Sequence, residues 1–190
     1  PYWEKEYRGY LCGYLIKELL EHYKPKNVLD PMEGSGTTRD VCKELNIDYI
    51  GEDLNKGNNA LFLPNNSSIF DFTFLHPPYW DMIKYSNKIG EDISTYSTYR
   101  EFLVAIKTII DVLKTRTQTN GYIACLIGDI RRRGKYIHIF KDLLNISKLE
   151  IDSIIIKVQH NVQSDSTQYS TSNLIRIMHE YCVIWRNKCG

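Results

Sequence analysis

Two short stretches of the chain bring together residue types that can do chemistry. The first is Asn27-Val28-Leu29-Asp30-Pro31-Met32-Glu33-Gly34-Ser35-Gly36-Thr37-Thr38, and the second is Phe70-Asp71-Phe72-Thr73-Phe74-Leu75-His76-Pro77-Pro78-Tyr79-Trp80. Each reads as a buried strand that stops abruptly at residues with special backbone or side-chain properties. In an open α/β sheet, ligands bind beyond the carboxyl ends of the strands, so two such ends on neighbouring strands make one site with two halves.

At the first end, Gly34 and Gly36 permit positive φ and let backbone approach a ligand closely. The N–H groups of the turn and of the helix after it point into the site. The pattern is Asp-Pro-x-x-Gly-x-Gly rather than the Gly-x-Gly-x-x-Gly of dinucleotide loops. An acid at the strand end repels a pyrophosphate and suits a cationic or amino-bearing ligand. Asp53, at the end of the next strand, is placed to accept hydrogen bonds from ribose hydroxyls. An adenosine with a positive tail meets both requirements, and S-adenosylmethionine is such a molecule.

At the second end, Pro77 and Pro78 cannot donate ladder hydrogen bonds; they stiffen the chain and leave nearby carbonyls free to accept. Tyr79 and Trp80 offer flat faces for a planar ring. Together they suit a planar amine, its N–H groups held by acceptors and its ring clamped by an aromatic.

The elements around these ends follow from periodicity. An amphipathic helix runs from Tyr10 to Tyr23, with Leu11, Tyr14, Leu15, Leu19 and Tyr23 at helical spacing, and Pro25 marks its exit. Val28-Leu29 is a short buried strand, Thr37 to Leu45 a helix, and Tyr49-Ile50-Gly51 a second strand ending at Glu52-Asp53-Leu54. This is a right-handed parallel β-α-β crossover. Residues 55–69 read as loop, so a further β-α unit is missing or much reduced. After the strand from Phe70 to Leu75, residues 81–97 read as loop. Then come a helix from Tyr99 to Leu113, a turn at Thr117 to Gly121, and a strand from Tyr122 to Ile127 closed by Gly128-Asp129. The basic run Arg131-Arg132-Arg133-Gly134-Lys135 reads as a loop on the same rim as the site. It is followed by a helix from about Ile137 to Leu144, a strand from Ile151 to Val158, a polar stretch at 160–173, and a last strand from Tyr181 to Trp185 that can pair antiparallel with the previous one. The expectation is an α/β fold: a mostly parallel sheet with helices on both faces and a C-terminal antiparallel hairpin.

Composition excludes rather than selects. Apolar residues are 43% and charged residues 25% of 190, with net charge +1, the profile of an ordinary globular protein. This length is most simply one domain, able to bury roughly 70% of its unfolded surface without staples. Lys107 and Asp111 interrupt the most apolar helix, so no run approaches the ~20 residues of a membrane span. The start carries no secretory signal pattern, and it begins at Pro1, as a trimmed fragment would. Cys12, Cys42, Cys125, Cys182 and Cys189 are odd in number and lack zinc-ligand spacing, which suits free thiols in a reducing cytoplasm and no metal site.

The segment Asp30-Pro31-Met32-Glu33-Gly34-Ser35-Gly36-Thr37-Thr38 resembles the cofactor motif of the amino-methylating DNA methyltransferases. His76-Pro77-Pro78-Tyr79-Trp80 resembles their catalytic motif, and His179-Glu180-Tyr181 leading into Cys182-Val183-Ile184-Trp185-Arg186 resembles their closing strand. The resemblance covers almost the whole chain, with the cofactor half first. It implies a class I (Rossmann-like) methyltransferase fold, S-adenosylmethionine as cofactor, and transfer to the exocyclic amine of a base flipped out of the helix. It implies that Asp30, Gly34, Ser35 and Gly36 surround the methionine part of the cofactor, flanked by Pro31, Met32, Thr37 and Leu54, and that Asp53 binds the ribose. The Pro77 carbonyl and the His76 side chain accept the amine's hydrogens, Pro78 stiffens the turn, and Tyr79 stacks on the base. Trp80, Tyr85, Arg131, Arg132, Arg133 and Lys135 belong to the substrate side, the basic residues on phosphates.

The chain departs from that pattern in three places. Position 76 is His where the family has Asp, Asn or Ser; a protonated imidazole cannot accept a hydrogen bond, so an acid limb near the reference pKa of ~6.5 is expected. The adenine-side wall is short. No separate target-recognition domain fits, so specificity must come from residues 81–97, the basic run, residues 160–173, a second copy or a partner subunit. Pro-Pro-Tyr followed by Trp leans to cytosine N4 over adenine N6. The alternatives are an RNA base methyltransferase and a catalytically silent methyltransferase-like subunit that binds nucleic acid. A nicotinamide dehydrogenase is disfavoured by Asp30 and the Pro-Pro turn.

Overall fold

The computed structural model describes residues 13–63, 69–85, 90–159 and 174–188. Helix α1 (Gly13–Tyr23) leads into β1 (Asn27–Asp30), α2 (Thr37–Glu44) and β2 (Asp48–Gly51). Then follow β3 (Phe70–Leu75), α3 (Tyr99–Arg116), β4 (Thr117–Ile127), β5 (Ile130–Arg132), β6 (Lys135–Ile137), α4 (Ile139–Ser147), β7 (Glu150–Val158) and β8 (His179–Arg186). The expected start of α1 at Tyr10, the thiols of Cys12 and Cys189, and the polar stretch at 160–173 lie outside the described residues.

Six strands form one sheet in the order β2-β1-β3-β4-β8-β7. The first four are parallel, and β8 pairs antiparallel with both β4 and β7. The expected closing pair is therefore present, but β8 inserts between β4 and β7 rather than ending the sheet. Alternate residues feed two cores, as a sheet covered on both faces requires. Leu29, Ile123, Cys125, Ile127, Val183 and Trp185 pack with α3 and α4. Val28, Phe72, Phe74, Ala124, Leu126, Cys182 and Ile184 pack with α1 and α2. Among the described residues, only short 3-10 turns (Leu54–Lys56 and Ala60–Phe62) stand between β2 and β3, as the missing β-α unit anticipates.

Three local readings need correction. Thr117 to Gly121 is the start of β4, not a turn: Asn120 (φ 66) and Gly121 are absorbed in a bulge between the Phe70 and Phe72 registers. The Asn187 side chain holds this stretch by donating to the carbonyls of Lys114, Thr117 and Gln118. The basic run is a β-hairpin, not a loop: β5 and β6 pair antiparallel, and Arg133 (φ 50) with Gly134 (φ 77) supply the two positive-φ residues of a tight turn. Ile137 is consequently in β6, and α4 opens two residues later, where the Asp129 carboxylate accepts the N–H of Phe140 at 2.9 Å.

Candidate active site

The ends of β1, β2 and β3 open into one cleft of about 910 Å³, including its part open to solvent. Asp30, Pro31, Met32, Gly34, Ser35, Thr37, Asp53 and Leu54 line one side of it, and His76, Pro78 and Tyr85 line the other. The two motifs, 40 residues apart in sequence at Gly36 and His76, thus share one cavity through the β1–β3 pairing.

On the first side the turn is braced by backbone and carboxylate contacts. Gly36 lies outside the lining; its φ of 79 starts α2, and Gly34 also has positive φ. Asp53 ties β2 to the turn, one oxygen accepting from Gly34 N–H at 3.1 Å and the other from Asn55 N–H at 2.8 Å. Each oxygen keeps further acceptor capacity. Asp30 is 3% exposed and accepts from Met32 N–H at 3.0 Å. Burial raises its pKa to about 7, opposed by the Thr38 hydroxyl and Met32 N–H and assisted by the charges of Glu33 and Asp53. Among the described residues, the lining includes the carboxylates of Asp30, Glu33, Asp53, Glu91 and Asp92, and no Lys or Arg. Asn55, Asn58, Asn59 and Ala60 add the wall that residues 55–69 were expected to leave thin. Glu33, an interior position of the motif with no obvious task, is buried and paired with Arg39 at 2.9 Å and with Lys56.

The second side is ordered by hydrogen bonds that the sequence pattern does not announce. His76 Nε2 lies 3.2 Å from the Tyr79 hydroxyl, and that hydroxyl donates to Glu180 Oε1 at 2.5 Å. Glu180 and Lys157 are cross-strand partners on β8 and β7, and their side chains form an ion pair. Burial alone would raise Glu180, but Lys157 and the Tyr79 hydroxyl bring it below the ordinary value. Desolvation lowers His76 to about 4, outweighing the attraction of Glu180. His76 is therefore neutral at pH 7, and any acid limb that it governs lies below the 6.5 expected for an ordinary imidazole.

The aromatic placement also differs from expectation. Tyr79 is absent from the cleft lining: a buried hydroxyl needs a partner, and Glu180 draws the ring toward β8. Gly128 makes room for it, since a Cβ there would stand 2.8 Å from Tyr79 Cε2. Trp80 adopts φ 51, donates its indole N–H to the Tyr96 carbonyl at 3.1 Å and packs 5.4 Å from the Tyr99 ring, so it too faces away from the cleft. Pro77 is buried and outside the lining, and among the described residues Tyr85 is the aromatic of this half that lines the cleft.

The basic residues stand beside the cleft, not in it. Arg131 lies over the Tyr136 ring at 5.1 Å and donates to the Ile175 carbonyl at 3.2 Å. Arg132 pairs with Asp81 at 2.5 Å, joining the hairpin to the segment after Trp80. Arg133 and Lys135 are exposed at the hairpin tip.

No family model matches the chain, and no curated protein sequence does. Solved structures do. TrmN from Thermus thermophilus aligns with a TM-score of 0.52 at 13% identity, over 93% of this chain and 49% of that one. The N-methyltransferase NodS from Bradyrhizobium japonicum gives 0.50 at 12%, over 92% and 93%. A candidate DNA modification methylase from Thermus thermophilus gives 0.48 at 19%, over 70% and 51%. The chain spans about half the length of the two Thermus proteins. It has the class I methyltransferase fold.

Proposed function

We propose that the chain is an S-adenosylmethionine-dependent methyltransferase acting on the exocyclic amine of a nucleic-acid base, in DNA, with cytosine N4 favoured over adenine N6. The observation that carries this is the shared cleft: among the described residues, acids and no Lys or Arg on its lining, a glycine turn on one side, a neutral histidine and Pro78 on the other. The acidic lining suits a cation and disfavours a pyrophosphate, and the residues present fit a sulfonium adenosine. The DNA assignment rests on the two motifs.

In this reading Asp30 faces the cationic methionine part and Asp53 uses its remaining lone pairs on the ribose. When bound, S-adenosylmethionine supplies an electrophilic methyl that the amine nitrogen takes as the carbon–sulfur pair returns to sulfur. Neutral His76 accepts an amine hydrogen, raising electron density on nitrogen, and the proton shed after transfer passes to water. Tyr85 offers the flat face for the base. Positioning supplies most of the acceleration. Among the described residues no thiol takes part: burial pushes Cys42 and Cys182 up to about 12 and raises Cys125 as well. Arg133 and Lys135 meet phosphates, and sequence selection belongs to the surrounding loops, a second copy or a partner subunit.

Incubation with labelled S-adenosylmethionine and matched DNA and RNA, followed by digestion and mass spectrometry of the nucleosides, tests this. N4-methylcytosine in DNA is expected. Label confined to RNA moves the substrate to RNA. Absence of cofactor binding by calorimetry marks a silent subunit.

A further inference from the structure

In the proposed reaction His76 serves only if the nitrogen facing the amine carries a lone pair. A neutral imidazole has one proton and two places for it, and the partner of one nitrogen decides what the other can do. An ionised Asp at this position would present only acceptor oxygens, with no such choice. A histidine therefore needs a second device to fix its proton, and the structure contains one.

The Tyr79 hydroxyl has a single proton and two neighbours. Glu180 is 2.5 Å away, within the range of a charge-assisted O–H···O⁻ bond, while His76 Nε2 is 3.2 Å away. Glu180 is held ionised by Lys157, its cross-strand partner, so it can only accept. The hydroxyl proton goes to Glu180, and the tyrosine oxygen presents a lone pair to Nε2. Nε2 must then be the nitrogen that carries the proton, and Nδ1 holds the lone pair. Among the described residues Nδ1 has no hydrogen-bond partner, and His76 lines the cleft.

The geometry points to Glu180 and Lys157 as positioning residues that act through Tyr79 to hold His76 with its proton on Nε2 and an acceptor on Nδ1 for the substrate amine. This rests on the amino-methyltransferase reading for its use, but not for its existence. Tyr79 thereby has a task other than stacking, and Glu180, which touches no substrate, becomes part of the machinery. The relay also predicts a direction of failure. Without the Glu180 carboxylate, the Tyr79 proton is released to Nε2, the imidazole proton moves to Nδ1, and the acceptor in the cleft becomes a donor.

The test is nitrogen NMR of the chain with labelled histidine, the five histidines being distinguished by a H76N variant. In the wild type, one neutral tautomer with the proton on Nε2 is expected. Glu180→Leu should invert it, and Tyr79→Phe should abolish its fixation, each with a fall in kcat of about tenfold and little change in KM. In a H76D background the same two changes should cost less than about twofold, because an ionised carboxylate is acceptor-only and needs no relay. If Glu180→Leu does not fold, Tyr79→Phe decides alone. A wild-type proton on Nδ1, or a tautomer that both variants leave unchanged, overturns the relay. The spectra do not depend on turnover: the expected tautomer with no transfer to any base keeps the relay and overturns the function, whereas transfer with the opposite tautomer does the reverse.

Discussion

The two strand ends bury opposite kinds of titratable group, and burial moves each toward neutrality. Asp30, at the end of β1, is raised to about 7; His76, just past β3, is lowered to about 4. The same desolvation thus leaves two different states. Asp30 is poised, close to half-charged at neutral pH, and a cation placed beside it would restore its ionisation. His76 is committed to the uncharged form, and its partners decide only where its proton sits. One end is built to respond to its ligand; the other is built not to.

The sharpest way to break this contrast is at His76. His76→Ala should lower kcat by about 100-fold with cofactor affinity unchanged, measured by single-turnover transfer and calorimetry. With S-adenosylmethionine saturating, the wild-type rate should stay flat from pH 8 to about 5 and fall only as His76 protonates near 4. A limb near 6.5 would mean that the site is wetter than its packing implies.

Asp30→Asn tests the responsive end. Loss of a charged partner should weaken S-adenosylmethionine binding by about 30-fold. Proton linkage separates charge from shape. Asp30 ionises near 3.8 when unfolded and near 7 when folded, so its contribution to stability is full below the unfolded value and is lost as pH rises through about 7. A cation drives the proton off, so affinity should climb with pH up to about 7 and then level. Calorimetry in two buffers of different ionisation enthalpy reads the released proton, and Asp30→Asn should abolish it.

A smaller effect is expected where the acidic end depends on backbone alone. Gly36→Ala forces a side chain into left-handed backbone and should cost about 1–2 kcal/mol, read from the denaturant midpoint. The smallest effect lies outside both ends. Replacing Arg133 and Lys135 by Ala should weaken DNA of every sequence alike and reduce the salt slope by about 0.9 per lost phosphate contact.

The sheet was legible because its strands are short apolar runs punctuated by Gly and Pro, and Phe70–Leu75 matched residue for residue. Asn120-Gly121 misled because a turn signal describes backbone preference, and a bulge satisfies that preference inside a strand. The basic run misled in the opposite sense: charge suggested a loop, while Arg133-Gly134 carried the hairpin turn. The cofactor motif was legible because its chemistry is local in sequence. Glu180 was not, because it meets Tyr79 across 101 residues, and only the β4–β8–β7 pairing brings Lys157 and Glu180 to the end of β3. The placement of Tyr79 outside the cleft lining was hidden for the same reason: a motif names the residue but not the distant partner that takes its hydroxyl.

Gly128 gives this a consequence for how such a chain can vary. Its missing side chain is the clearance that lets the Tyr79 ring reach Glu180. Positions 76, 79, 128 and 180 should therefore change together. A relative with Asp at 76 presents only acceptor oxygens, and so can accept a larger residue at 128 and drop the acid at 180. A relative that keeps His76 cannot.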